Sequence, residues 1–408
     1  EQGAKLWDAV KDQLELYADV PYEHIVKSGQ PYAKSFKCHP NRDLYQEMIR
    51  DGASMDKAAD YALKGKYDVG IYGVWFGTNY GSVATYYALH QIVRSFGLSV
   101  LMIDKPGSGI DVETADSHAR RFSKAHYHIS DRYPLRDIKR LNQKVDTFII
   151  GSDQVWNRGI SKNFGYSFYF DFADPDKKKI AFAASFGHDR DFCNANDRVT
   201  ISNYMSKFDG ISLRETSGVE ICRDVYGIDS VRVLDPVFVA ERKELHLSEK
   251  LGLDVVVLLD GRPKDPKKNR EIMDMDDKIV DDIGVEDWLG FFRNAEFVVT
   301  DSCHGMSFAI VFERNFIGLA NNARGKTRFE SLVDVFQVRD HYVLEATEII
   351  DNDELLKPVD YEKVNSILYS ERARSLEWLK DKLFSPKVVD GYKAYPMIDK
   401  RLADDKED

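Results

Sequence analysis

Twice along this chain, short and nearly unbroken apolar runs alternate with segments whose apolar positions recur at helical spacing. The first series is "YDVGIYG" (67–73), "LSVLMID" (98–104), "DTFIIG" (146–151), "KIAFAAS" (179–185), "DGISLR" (209–214) and "SVRVLD" (230–235). After "LDPVFV" (234–239) the pattern restarts with "LDVVVLLD" (253–260), "EFVVT" (296–300) and "NFIGLAN" (315–321). A strand that is apolar on both faces needs cover on both faces, and helices between strands lead to parallel pairing. The alternation therefore predicts an α/β protein of two Rossmann-like domains, 67–240 and 241–408, facing each other. The length of 408 residues agrees, because one hydrophobic core rarely grows beyond about 250–300 residues.

The flanks read differently. Residues 1–66 are helical stretches interrupted at Pro21, Pro31 and Pro40, an N-terminal helical appendage. The charge-dense "GRPKDPKKNREIMDMDDKIVDDI" (261–283) reads as a long polar loop. "YEKVNSILYSERARSLEWLKDKLF" (361–384) is an amphipathic helix expected to cross back between the domains, with a frayed acidic tail behind it.

Composition removes several function classes. A net charge of −11 argues against nucleic-acid binding, which needs a basic face. No stretch approaches the roughly 18 to 20 apolar residues of a membrane span. Cys38, Cys193, Cys222 and Cys303 form no C-x-x-C pair, so neither a disulfide framework nor a zinc site is expected. With no apolar leader core at the start, the expected compartment is the cytoplasm, and no metal is expected.

Ligands of open parallel sheets bind outside the carboxyl ends of the strands, which selects four loops. "GVWFGTNYGS" (73–82) offers Asn79, Tyr80 and Gly81 at a helix start, without the G-x-G-x-x-G spacing of a dinucleotide site. It is either a tight capped turn or a binding loop. "IIGSDQVWN" (149–157) brings Ser152, Asp153, Gln154 and Trp156. Asp153 could act as a general base and Trp156 could stack on a sugar, or the two are a helix cap and a core ring. "ASFGHD" and "ISLRET" add His188 and Arg214, each either a ligand or an ordinary loop group. "TDSCHG" (300–305) places Asp301, Ser302, His304 and Gly305 at a helix start, which is either an Asp/Ser cap or an anion site formed by its free N–H groups and dipole. Arg324, Lys326 and Arg328 follow one strand later, suited to a phosphate and a carboxylate on one molecule.

"GTNYGS", "GSDQVWN", "SLRE", "LDP" and "TDSCHG", in this order, resemble the polysaccharide pyruvyl transferase family of bacterial capsule and exopolysaccharide clusters. The likeness runs from Tyr67 to the helix around Phe329, with Cys303 standing where the family often has an aromatic residue. It implies a fold similar to the GT-B glycosyltransferases and a pyruvyl ketal built on two sugar hydroxyls. Phosphoenolpyruvate would be the donor and no further cofactor would be needed. The acceptor sugar would often ride on a polyprenyl diphosphate, which would bring the protein to the inner face of the membrane. His304 would then be the acid or a phosphate contact, steered by Asp301. Arg214 and Arg324 would hold anions, and Asp153 would position the acceptor hydroxyl. The alternatives are a sugar-nucleotide glycosyltransferase, whose diphosphate would sit at the same helix start, and a non-catalytic carbohydrate-cluster protein.

Overall fold

The computed structural model describes residues 66–112, 114–240, 255–258, 284–320, 327–349, 352–389 and 392–394. The expected appendage (save Lys66), the charged segment 261–283, and Arg324 and Lys326 lie outside the described residues.

The first unit is built on β1 (Tyr67–Tyr72), β2 (Val100–Met102), β3 (Val145–Ile150), β4 (Lys178–Ala184), β5 (Gly210–Leu213) and β6 (Val231–Arg232). They form one parallel sheet in the order β2-β1-β3-β4-β5-β6. Helices α1 (Tyr80–Ser95), α2 (His118–His126), α3 (Ala195–Met205), α4 (Thr216–Tyr226) and the single turn α5 (Pro236–Val239) connect the strands and lead out of the sheet. The order reverses between β1 and β3, and such a reversal opens a crevice beyond the carboxyl ends of those two strands. Tyr72 pairs with Ile150, so both strands end level and release their loops side by side.

Helix α1 begins where Asn79 Oδ1 accepts from the Gly81 and Ser82 amides (3.0 and 3.4 Å) and stops before Gly97, whose φ of +79° suits glycine. It is buried nearly all round, and that burial extends to His90, whose two ring nitrogens have no hydrogen-bond partner among the described residues. Burial, and then the neighbouring His126 and His128, push the His90 pKa down to about 3. The unfolded chain takes a proton on this ring below about 6.5 and the folded chain does not. Stability is therefore expected to fall as pH drops from about 6.5 towards 3, by up to about 1.4 kcal/mol per pH unit from this group. Urea titrations across that range check this, and His90→Leu should flatten the slope.

The second unit carries β7 (Val255–Leu258), β8 (Phe297–Thr300), β9 (Asn315–Leu319) and β10 (Tyr342–Val343), parallel in the order β10-β9-β8-β7. Its helices are α6 (Val285–Asn294), α7 (Cys303–Val311) and α8 (Thr327–Phe336). The units share one core: Tyr80 meets Trp288 edge-on with ring centroids 6.2 Å apart, and Phe238 lies 4.9 Å from Phe336.

Helix α9 (Tyr361–Phe384) spans both units, as the amphipathic pattern predicts. At its start Tyr361 Oη donates to the Arg314 carbonyl (2.5 Å) and Asn365 bonds Glu313 (3.0 Å), both in the second unit. Further on, Ser375 Oγ accepts from the Leu234 amide (3.0 Å), Arg372 donates to the Phe238 carbonyl (2.8 Å) and Trp378 stacks on Phe182 of β4. Its free carbonyls end on buried Lys178, which donates to Lys382, Leu383 and Ser385. Two α/β units with facing carboxyl edges and a long helix crossing back are the GT-B-like arrangement expected. The segment just behind α9 departs from the frayed-tail expectation. Strands β11 (Lys387–Val389) and β12 (Tyr392–Ala394) pair antiparallel there, and Lys387 Nζ is tied to Asp209 at 2.9 Å.

Candidate active site

Strand β8 delivers Thr300, whose hydroxyl accepts from the Ser302 amide at 3.0 Å, and Ser302 Oγ in turn caps α7 by accepting from the Gly305 amide at 3.3 Å. The turn has no spare room: a β-carbon at Gly305 would lie 2.3 Å from Thr300 Oγ1. His304 thereby falls in the first turn of α7, buried, its Nε2 without a hydrogen-bond partner among the described residues. Its imidazole crosses to the other unit and lies on the backbone of Gly81. A β-carbon there would sit 2.5 Å from His304 Nδ1 and 2.8 Å from its Cβ. The starts of α1 and α7, one from each unit, thus meet face to face, with the Gly81 and Ser82 amides held by Asn79 and the Gly305 amide by Ser302. Gly81→Ala is expected to push the imidazole aside and cut turnover more than tenfold. A thermal melt beside the rate assay separates displacement from unfolding.

Asp153 comes from the loop after β3, with a left-handed φ of +69°, a conformation that costs an Asp energy and recurs at functional sites. The strain turns its carboxylate inward, where it accepts from Ser82 Oγ (2.5 Å), the Gln154 amide (2.9 Å) and Arg214 (3.2 Å). Burial works against its charge. Arg214, then His304, Arg328 and the Ser82 hydroxyl outweigh burial and hold the carboxyl well below the usual carboxylate range.

Arg214 is the hub. Its Nε donates to Glu215 (2.8 Å), one terminal nitrogen to Asp235 (2.8 Å) and the other to Asp153, so one guanidinium fork is divided among three buried carboxylates. Asp235 also accepts from Ser152 Oγ (2.8 Å) and caps α5 through the Val237 amide (3.2 Å), while Glu215 accepts from Ser185 Oγ (2.9 Å). Buried Arg328, on α8 of the second unit, adds its charge across the seam and acts on Asp153, His304 and Cys303. For His304 burial dominates and lowers the pKa; Asp153 opposes that, and Arg214 and Arg328 reinforce it. Burial and the two guanidinium groups thus hold the ring towards its neutral form.

Residues 79–323, well over half of the chain, match the family described as polysaccharide pyruvyl transferase. The chain belongs to the polysaccharide pyruvyl transferase family. No curated protein matches it by sequence. Among solved structures it is similar to LpCGTa in complex with UDP (11% identity, 78% of this chain and 99% of the other, TM-score 0.44). It is also similar to an O-GlcNAc transferase mutant of Thermobaculum terrenum (11%, 77% and 64%, TM-score 0.40). A third is the wall teichoic acid polymerase TagF (10%, 83% and 96%, TM-score 0.38). These likenesses are distant.

In this pyruvyl transferase family member the expected residues divide into three groups. Asn79, Gly81, Ser302, Gly305, His304, Asp153 and Arg328 gather around the two helix starts. Gln154 and His188 line a neighbouring cavity of about 550 Å³ on the first unit, with Asp153 on its wall. One expectation is corrected. Trp156 stacks on no sugar: it is buried, parallel to Tyr169 at 5.6 Å, with its N–H on the Phe168 carbonyl (3.2 Å). Ser152 donates to Asp235, and Arg214 gives each of its three nitrogens to a carboxylate while also lining the crevice beside Arg328. The carboxylate acting most on His304 is Asp153 from the opposite unit, while Asp301 is half-buried just before the α7 cap. Tyr80 packs on Trp288 at the seam. The sequence does not mark Glu215 and Asp235 as site residues, although Asp before Pro in "LDP" is a visible helix cap.

Proposed function

We propose that this transferase moves the pyruvyl group of phosphoenolpyruvate onto two hydroxyls of a sugar in a capsular or exopolysaccharide precursor and releases phosphate. Beyond family membership, one observation supports this reading most. An imidazole from one unit and a strongly acidic carboxylate from the other share a dry region where two helix starts meet.

The chemistry is the addition of two alcohols to an enol phosphate. A proton goes to the methylene carbon, and the cation at the adjacent carbon is captured by the first hydroxyl. The second hydroxyl then displaces phosphate, so one hydroxyl proton ends in the new methyl group and the other leaves with phosphate. His304 is the proton carrier in this scheme. Its pKa is depressed in the free protein and rises when the donor's negative charge arrives, so donor binding loads the acid, and the same ring accepts the proton of the first hydroxyl. The amides at the start of α7, Arg328, and Arg324 and Lys326 just before it hold phosphate and carboxylate. Asp153 is too acidic to be a strong base; it accepts a hydrogen bond from the acceptor hydroxyl and steadies the imidazolium.

The crevice between Arg214 and Arg328 measures about 30 Å³, room for a water or two and not for phosphoenolpyruvate. Donor entry therefore requires the units to part along this seam. A polyprenyl diphosphate carrier for the acceptor and action at the cytoplasmic face of the membrane complete the proposal. Among the described residues no helix is long and apolar enough to cross a membrane.

The test is incubation with phosphoenolpyruvate and a panel of lipid-linked and synthetic galactosides, followed by mass for pyruvyl addition and by phosphate release. Addition of the ketal with one phosphate freed is expected. Sugar transfer from UDP- or GDP-sugars, with phosphoenolpyruvate inert, would make it a glycosyltransferase. Neither donor turning over would leave a binding protein.

A further inference from the structure

The cavity of about 550 Å³ beside Asp153 differs chemically from the region around His304. It is formed by loops after β1, β3 and β4 of the first unit, at the strand-order reversal, and among the described residues none of the second unit lines it. Among the described residues that line it there is neither Lys nor Arg, and Asp153 supplies the one carboxylate. His188, the other titratable group, is held towards its neutral form by burial and then by Arg328 and Arg190. A donor carrying a phosphate and a carboxylate would meet a negative charge here and no cation. The space also exceeds what a three-carbon phosphate needs.

Polar and apolar groups are sorted within it. Asp153, Gln154 and Asn157 line one part, with Asn157 Nδ2 bonded to Gln154 Oε1 (2.9 Å), which leaves the Gln154 amide nitrogen to donate. Ile160 and Phe192 also line it and remain 54% and 42% exposed. Both are held in place: Ile160 in the helical turn capped by Asn157 (3.0 Å to the Gly159 amide), Phe192 edge-on to His188 at 4.9 Å. Arg190 stands over the Phe192 ring but is not part of the lining. Hydroxyl-binding groups beside two exposed apolar side chains, with no cation, suit a ring that has hydroxyls at its edge and C–H groups on its face.

We propose that this cavity takes one neutral pyranose of the acceptor, with Phe192 and Ile160 against its C–H face and Asp153, Gln154 and Asn157 at its hydroxyls. It disfavours the corresponding uronic acids, whose carboxylate would face Asp153 while the one guanidinium bonded to Asp153, that of Arg214, is already divided among three carboxylates. Trp156 had been the candidate platform; with that ring buried, Phe192 takes the role. The inference rests on the reading above in placing the acceptor hydroxyl at Asp153, and its test is independent of turnover.

Saturation-transfer NMR of the intact protein, without donor, is run with the methyl glycosides of galactose, glucose and mannose and with methyl galacturonide. At least one neutral glycoside is expected to bind and the galacturonide is not. Phe192→Ala should weaken that binding about tenfold, the scale of one aromatic contact, and Ile160→Ala severalfold. Unchanged melting temperatures are expected for both variants, since both side chains are largely exposed. Equal binding of the galacturonide, no binding of any neutral glycoside, or wild-type binding by both variants overturns the proposal. If neutral sugars bind in a Phe192-dependent way and no ketal ever forms, the cavity assignment stands and pyruvyl transfer falls. If ketal forms and Phe192→Ala leaves the acceptor KM untouched, transfer stands and the assignment falls.

Discussion

His304→Ala is expected to lower pyruvyl transfer by about 10²- to 10⁴-fold, the usual contribution of a positioned proton carrier. His304→Gln should fail nearly as badly, since it keeps the volume and loses the titratable nitrogen. The two variants together separate chemistry from packing, because the ring lies on the Gly81 backbone and its removal leaves a gap. Phosphate release with donor and acceptor present is the measurement, and wild-type release by either variant would remove His304 from the mechanism. The pH profile carries the sign. Burial lowers the His304 pKa in the free protein, so kcat/KM for the donor should decline as pH rises and the protonated fraction shrinks. That limb should vanish in His304→Gln.

The second large effect is structural. Arg214→Met should cost about 3–5 kcal/mol or more, the penalty for stripping the partner from buried charges, because Asp153, Glu215 and Asp235 all depend on this guanidinium. Arg214→Lys should recover little, since one ammonium cannot present a planar fork to three carboxylates. Urea unfolding at neutral pH is the measurement. The Asp153 pKa is depressed in the folded state, so the stability it lends is present above the ordinary carboxylate pKa and disappears only as pH falls well below that range. Arg214→Met should shift that loss towards higher pH, because the unpaired carboxylates then take up protons more readily. Loss of activity in Arg214→Met with stability intact would mean that Arg214 contacts the donor directly.

The parallel architecture was legible because fully buried strands cannot hide their apolar runs, and the helix from Tyr361 to Phe384 was legible because its apolar stripe must pack on the core that both units share. The turn at Thr300–Gly305 was legible for a chemical reason: small polar residues directly after a buried strand are what a helix start requires. Trp156 was not legible. Its neighbours in "SDQVWN" are polar, but its partners, Tyr169 and Phe168, come from a stretch without periodicity. Nor was the arrangement around Arg214. Glu215 adjoins it, whereas Asp235 and Asp153 lie 21 and 61 residues away and arrive only when β3, β5 and the "LDP" turn share one sheet edge. Sequence spacing reports what a helix or strand does locally, and a buried ion cluster is assembled across strands.

The contact between Gly81 and His304 has a consequence for how the protein can be switched. His304 comes from the second unit and Asp153, the carboxylate that acts most on it, from the first, so in the proposed mechanism both halves must be apposed before a proton moves. On that proposal, a seam that opened to admit phosphoenolpyruvate would draw the acid and its counter-charge apart, and the enol phosphate would be shielded from premature protonation until the halves met again over the sugar.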